Sequence, residues 1–298
     1  MAHRFVVIGG GPAGNQAATT AARLGAEVTM VERDVIGGAA HLWDCIPSKT
    51  MIATGGAMAA SRRMRGMGLE QHTATIDTPA LEERIESIKS RIQSGVENLL
   101  SSQGVRMIAG TASFKDEHTV RVQSTAGVEE LPADAILIAT GSRPRIPDWC
   151  EPDGERILTT RDCYPPKVMP THIAVVGSGV TGVEFVHMFA SLGCKVTLVV
   201  SRQQVLPSKD PEVAAVLEDD FLKRGVTLLK GARATAIERV SDGDGEGVIV
   251  RCDDGRQVRA SHAVLAIGSV PNTDGLNLDS AGVVVDGGGY VSINHHCQ

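Results

Sequence analysis

The sequence lacks any apolar run approaching the roughly 20 residues that cross a bilayer, and its apolar start from Phe5 to Ile8 passes straight into a glycine turn with no signal-peptide cleavage site. On this reading the chain has no membrane span and no secretory leader, and it is expected to be soluble and cytoplasmic. Cysteine is scarce. The six, Cys45, Cys150, Cys163, Cys194, Cys252 and Cys297, are widely spread without a CxxC pair, which excludes a disulfide framework and leaves reduced, mostly structural thiols. An excess of basic residues is also missing, because the formal charge is −6 with acids and bases mixed along the chain. That balance excludes the basic stripe of a nucleic-acid binder and the polybasic cluster of a membrane-surface protein, and leaves small molecules as the expected partners. At 298 residues there is enough chain for two domains, each with its own core.

What is present is a repeat. Residues 9–33, GGGPAGNQAATTAARLGAEVTMVER, align without a gap on residues 177–201, GSGVTGVEFVHMFASLGCKVTLVVS. In each copy a short apolar run (Phe5 to Ile8; Ile173 to Val176) enters GxGxxG, a helical stretch ends at Leu-Gly, and a β-branched strand follows. This is the βαβ order, with Gly25 and Gly193 suited to the left-handed turn that closes a helix. A weaker echo pairs DAILIATGSRP (134–144) with SHAVLAIGSVP (261–271), each a strand that closes one nucleotide unit. Between them, Thr78 to Leu100 places Ile85, Ile88, Ile92, Val96 and Leu99 at helical spacing, a packing helix. Segments 105–110, 118–123 and 247–252 read as strands of small antiparallel sheets beside the main ones, with Ser241 to Gly247 a flexible hairpin loop.

In the first fingerprint, GGGPAG, Gly9 permits the tight turn, Gly11 lets the backbone approach a pyrophosphate, and Gly14 allows close packing of helix on strand, with Pro12 and Ala13 between them. The helix amino terminus then faces negative charge. Glu32, followed by Arg33, ends the next strand, where a carboxylate accepts hydrogen bonds from an adenosine ribose. A lone GxGxxG is also an ordinary glycine turn; here strand, helix and acid agree. The second fingerprint, Gly177, Gly179 and Gly182 with Val180 and Thr181, has Val200 where the first copy has Glu32. Its strand end continues as Ser201 and Arg202, an acid-free terminus with an arginine that suits the 2′-phosphate of NADP. The alternative is a solvated Arg202 and selectivity for NAD through other contacts.

These cradles, with GGAAHLWDCIPSK after the first strand pair, resemble the pyridine nucleotide-disulfide oxidoreductases, the family of lipoamide dehydrogenase, glutathione reductase and mercuric reductase. The resemblance covers the whole chain and rests on GGGPAG, Glu32, GG followed by CIPSK, ATGS at 139–142, GSGVTGVE at 177–184 and GSVPNT at 268–273. It implies an α/β fold of two nested Rossmann-like, three-layer ββα domains: an FAD domain over 1–146, an inserted NAD(P) domain over 147–270, and a return to the FAD domain from 271. It also implies FAD at the first cradle and NADP or NAD at the second. Gly38, Ala39, Lys49, Ala112, Thr140, Gly141 and Ser142 join the cofactor-binding set, as do Glu184, Gly268 and Asn272.

Two departures matter. The family's motif carries two cysteines four residues apart, and here the first is Ala40, leaving Cys45. By the family's pattern that is the cysteine nearer the flavin; one thiol cannot cycle as an intramolecular dithiol. Cys45 is then either a thiolate in contact with the flavin or a buried structural thiol. Lys49 matches the family lysine by the flavin N5, partnered by Glu184 as a partly buried pair; Glu184 also reads as a first-turn helix acid favoured by the dipole. The second departure is that the chain stops at VSINHHCQ, before the family's dimerisation domain, so a homodimer is expected only with that domain, and His295, His296 and Cys297 lack zinc spacing. The resemblance implies hydride passage from NAD(P)H to FAD and on to a small-molecule acceptor, a quinone or, as in the soluble NAD(P) transhydrogenases, a second pyridine nucleotide. A disulfide reductase with a distant second cysteine and a nucleotide-binding fragment without activity stand as the other readings.

Overall fold

The computed structural model describes residues 2–68, 74–243 and 245–298. They form two compact units: Met1–Ile46 with Glu86–Arg143 and Val270–Gln298, and Pro47–Ile85 with Pro144–Ser269. In the first, strand β1 (Arg4–Ile8), helix α1 (Pro12–Arg23) and strand β2 (Glu27–Glu32) make a parallel βαβ unit. Helices α2 (Cys45–Arg63) and α3 (Thr78–Ser102) follow, and α3 delivers β3 (Arg106–Ala109) beside β2. An antiparallel meander of β4 (Thr111–Asp116), β5 (Thr119–Ser124) and β6 (Gly127–Pro132) precedes β7 (Ala135–Ile138), which returns alongside β1. The order β3-β2-β1-β7 is parallel throughout.

Alternation along the strands builds three layers, because successive side chains leave opposite faces. Val6, Ile8 and Val31 pack with Phe114, Val120 and Val122 of the meander. Val7, Val28 and Met30 pack with Ala18 of α1 and Leu100 of α3. A sheet covered on both faces needs continuous apolar strands, which is why the run from Phe5 to Ile8 carries no polar residue.

The chain leaves through β8 (Ser142–Pro144) and continues through β9 (Ile157–Thr159) and β10 (His172–Val176). Helix α4 (Val180–Ser191), β11 (Lys195–Val200), α5 (Pro211–Lys223) and β12 (Thr227–Lys230) come next, then the antiparallel β13 (Ala234–Asp242), β14 (Gly245–Cys252) and β15 (Gln257–Ala260). The closing strand β16 (His262–Leu265) completes the parallel order β12-β11-β10-β16-β9, and β17 (Ser269–Pro271) pairs with β8. Again the faces separate: Ile173 and Val175 pack with Phe185 and Phe189 of α4, Ala174 and Val176 with Val248 and Val250 of β14. Asp210 caps α5 through the amides of Glu212 at 2.8 Å and Val213 at 3.4 Å, with Pro211 at the first helical position.

Gly25 and Gly193 both take positive φ, +90° and +94°, as helix terminators. Three expectations change. Segment 105–110 is no antiparallel strand: β3 pairs parallel to β2 in the main sheet, delivered there by α3. Of the adjacent Leu99 and Leu100 on α3, Leu100 is the buried one and Leu99 is 50% exposed; both lie within helical reach of Val96, and i+4 wins over i+3. The loop expected from Ser241 is narrower, since pairing runs out to Asp242 opposite Gly245, and Asp244 lies outside the described residues. Residues 47–85 fall in the second unit, where Met51, Leu81 and Ile85 share a core with Phe185 and Phe189.

Candidate functional site: two glycine cradles and the start of helix α2

The two fingerprints fold into the same object. Gly9 has φ +111° and Gly177 +110°, a conformation open to glycine at no steric cost. A Cβ on Gly9 would lie 2.3 Å from the carbonyl oxygen of Ala139, and one on Gly177 2.4 Å from that of Ala266. The third glycines, Gly14 and Gly182, would carry Cβ atoms 2.0 and 1.9 Å from the carbonyl oxygens of Gly9 and Gly177. Both positions therefore exclude every side chain, and they press each helix onto the end of its strand.

The middle glycines are different. Gly11 and Gly179 cap α1 and α4 with φ −76° and −71°, a conformation any residue adopts. A Cβ on Gly179 would meet nothing within 4 Å, and one on Gly11 only the Cα of Gly38 at 4.0 Å. Glycine here keeps space empty in front of helix termini that have no side-chain cap and no acid in the first turn. Uncapped amides facing a gap that a methyl would fill fit the pyrophosphate of a dinucleotide.

Around the first cradle, Glu32 accepts from the Gly10 amide through Oε2 at 2.6 Å and from the Asp34 amide through Oε1 at 2.8 Å. The carboxylate ties β2 to the glycine loop and still has lone pairs for ribose hydroxyls. Gly37 donates to the Gly10 carbonyl at 2.8 Å, and Gly38, φ +68°, would put a Cβ 2.5 Å from the Gly11 Cα. Arg33 is exposed and faces Asp34 at 3.4 Å, Ala39 is half-buried and Ala112 buried in the meander core. Thr140 and Gly141 offer carbonyls to the side chain and amide of Asn272, both at 2.9 Å, so Asn272 holds the ATGS turn, with Ser142 exposed beside it.

Around the second cradle, β11 ends at buried Val200 and the chain emerges at exposed Ser201 and Arg202. Leu206 donates to the Ser178 carbonyl at 2.8 Å, the counterpart of the Gly37 bond, and Glu218 secures this return through the Val205 amide at 2.9 Å and Lys230 at 2.7 Å. Among the described residues no carboxylate pairs with Arg202. Gly268, φ +98°, accepts from the Arg145 amide at 3.0 Å and is exposed.

Lys49 and Glu184 meet, with Nζ 2.9 Å from Oε1. Their side chains are 54% and 42% exposed, so the expected partly buried pair is half-open and contributes at most about 1 kcal/mol to stability. Glu184 is the fifth residue of α4, and the first turn holds no acid, which removes the first-turn reading. Cys45 begins α2 and is exposed, which removes the buried-thiol reading. The interior cysteines behave otherwise. Burial pushes the thiols of Cys150 and Cys194 up to about 11 and that of Cys163 well above its ordinary value, so they are packing residues.

The sequence profile of the pyridine nucleotide-disulphide oxidoreductases matches residues 3–298. The chain belongs to that family. An NAD(P)H dehydrogenase (quinone) of Mycobacterium tuberculosis is 42% identical over 306 residues, covering 99% of this chain and 61% of that protein. A dihydrolipoyl dehydrogenase of Zymomonas mobilis is 34% identical over 309 residues, covering 99% of this chain and 66% of its own length. The crystal structure of LpdA from M. tuberculosis superposes with a TM-score of 0.89 at 41% identity, covering 98% of this chain and 64% of that one. This pyridine nucleotide-disulphide oxidoreductase thus spans about three fifths of the length of the quinone dehydrogenase it matches. The family implies FAD together with a pyridine nucleotide, and the two open cradles fit one such ligand each. In this family member no helix among the described residues is long and apolar enough to cross a membrane.

Sequence reasoning missed the loop-holding residues. Gly10 and Gly37 act through backbone groups and Glu218 by accepting from a backbone amide; the signal available was the middle glycine of GGG and the first of GG, which no fingerprint demands.

Proposed function

We propose that the chain is the nucleotide-handling part of a flavoprotein oxidoreductase that passes a hydride from NAD(P)H to FAD and on to a quinone-type acceptor without a dithiol relay. The observation that carries this reading is two matching glycine cradles in a chain whose Cys45 is exposed and whose position 40 holds alanine. FAD, when bound, supplies the two-electron chemistry.

The chain's own residues supply place and charge. Gly9, Gly11 and Gly14, with the amides of α1, hold one diphosphate, and Glu32 takes the adenosine ribose at its free lone pairs. Gly177, Gly179 and Gly182 do the same for the pyridine nucleotide, while Ser201 and Arg202, with no acid at Val200, favour the 2′-phosphate of NADPH. Lys49, held by Glu184, contributes fixed positive charge beside the isoalloxazine as the family's pattern places it. Cys45 offers a single thiol there, with Ala40 at the place of the family's first cysteine.

Purified protein that is yellow, or that gains flavin absorbance with added FAD, supports the reading; failure of both returns the chain to a nucleotide-binding fragment. Stopped-flow mixing with NADPH, then with menadione or NAD, distinguishes a quinone reductase from a transhydrogenase, for which acid-free Val200 and Arg202 also speak. Reoxidation by neither defeats both. Turnover of lipoamide or glutathione disulfide would instead restore the disulfide reductase.

A further inference from the structure

Helix α2 meets α4 at three places in the same order along both. Near the start, Lys49 reaches Glu184 at 2.9 Å. Midway, Gly55 sits so close that a Cβ on it would lie 2.8 Å from Ser191 Cβ, 3.5 Å from the Leu192 amide nitrogen and 3.5 Å from the Met188 carbonyl oxygen. At the end, the Arg62 guanidinium donates to the Ser191 carbonyl, and its Nη1 lies 3.5 Å from the place of a Cβ on Gly193. The neighbouring Gly56 has open space within 4 Å. Glycine in mid-helix is unfavourable, so two in succession call for a reason, and only Gly55 has one in the packing.

We propose that Gly55 is a positioning residue, backed by Arg62: together they fix the separation of α2 from α4, and so set the Lys49 ammonium on the Glu184 carboxylate. A Cβ at 2.8 Å must withdraw by close to an ångström to reach ordinary contact, about 3.5 Å or more. Lys49 lies six residues upstream, about 9 Å along the same helix at 1.5 Å per residue, so a rigid withdrawal opens the ion pair. Misplacement of about 1 Å far from the chemistry lowers a rate by up to about a hundredfold. The inference rests on the Lys49–Glu184 pair having the role proposed above.

The test uses Gly55→Ala, Gly56→Ala, Glu184→Gln and the Gly55→Ala/Glu184→Gln double variant of the whole chain. Without added cofactor, labelling of Lys49 by an N-hydroxysuccinimide ester is followed by peptide mass spectrometry. Gly55→Ala and Glu184→Gln should each speed labelling by about threefold or more, the factor carried by one net hydrogen bond, while Gly56→Ala leaves it unchanged. With FAD bound, Gly55→Ala should slow NADPH-driven bleaching by about tenfold to a hundredfold at unchanged NADP affinity, and should add nothing in the Glu184→Gln background. If Gly55→Ala behaves as Gly56→Ala, or if its effect adds to that of Glu184→Gln, the positioning role is wrong. If Glu184→Gln alone changes neither readout, the role of the pair fails instead. Should Gly55→Ala not fold, Arg62→Gln, which leaves the helix contact and removes the charge, is read against the same expectations.

Discussion

Alanine at the middle and last glycines of the second cradle should separate folding from binding. Gly179 has φ −71° and ψ −173°, and its Cβ would meet nothing within 4 Å. Replacing a glycine N-cap by alanine costs up to about 1 kcal/mol, and the stiffer unfolded chain returns about 0.4 to 1 kcal/mol. The net change in Tm for a unit of this size is then within about 2 °C. Binding is another matter, because the new methyl stands where the uncapped amides of α4 meet a diphosphate. Losing one charge-assisted hydrogen bond, about 1.5 to 3 kcal/mol, raises Kd for NADP about tenfold to a hundredfold. Gly182→Ala puts a Cβ 1.9 Å from the Gly177 carbonyl oxygen, so α4 must withdraw by well over an ångström. Such overpacking costs about 3 kcal/mol or more, a fall in Tm of about 6 to 12 °C. Differential scanning fluorimetry and calorimetric titration with NADP read the two effects apart. Equal losses of Tm in both variants, or wild-type NADP affinity in Gly179→Ala, would refute the assignment of these glycines to different tasks.

Three further expectations follow from the site and its surroundings. Cys45→Ser should leave most NADPH-menadione turnover intact and abolish any lipoamide turnover; loss of both would give the thiol a role in the common step. Arg202→Ala should weaken NADPH by about tenfold while leaving NADH nearly unchanged, as for loss of one charged contact, and equal KM changes for the two nucleotides would place the arginine elsewhere. His262, 1% exposed, is held down to about 4 by burial first and then by Arg156, against an opposing pull from Asp153. Its neutral form is the folded one, so its contribution is full above the ordinary 6.5, decreases as pH falls, and is lost by about pH 4. At 1.36 kcal/mol per unit this interval is worth about 3 kcal/mol. Urea titrations from pH 7 to 4 should show a shallower acid decline in His262→Leu than in wild type, and parallel curves would remove His262 as the cause.

The glycine geometry was legible in the sequence because the backbone approaches so closely that a Cβ would stand about two ångströms from a carbonyl oxygen, which only a missing side chain permits. Gly9 and Gly177, or Gly14 and Gly182, leave no freedom for another residue, so the repeat reads directly as structure. Strand faces were legible for the same kind of reason: Val6 and Val7 must leave opposite sides. The allegiance of α2 was not. Met51 and Gly55 announce a packed face without naming the partner, and the partner, α4, lies more than 120 residues further on. Nor could Glu32 disclose its backbone bonds, since a strand-end acid that serves a ribose and one that steadies a loop share the same sequence position. Val96 stands three residues before Leu99 and four before Leu100, and helical periodicity alone does not choose between them.

The near-identity of the two cradles has a consequence for how such a chain can be re-addressed. The closest approaches at the first and last glycines agree to 0.1 Å between the copies, while the residue at the end of the following strand is an acid in one and a valine in the other. Scaffold and label are thus written at different positions. On the function proposed above, an engineer who exchanges the label at Val200, or at Ser201 and Arg202, should edit which nucleotide is accepted without touching the glycines that let the turn exist. The first copy is harder to rewrite. There the label, Glu32, is also a brace for the Gly10 amide, so changing the ligand means loosening the pocket that receives it.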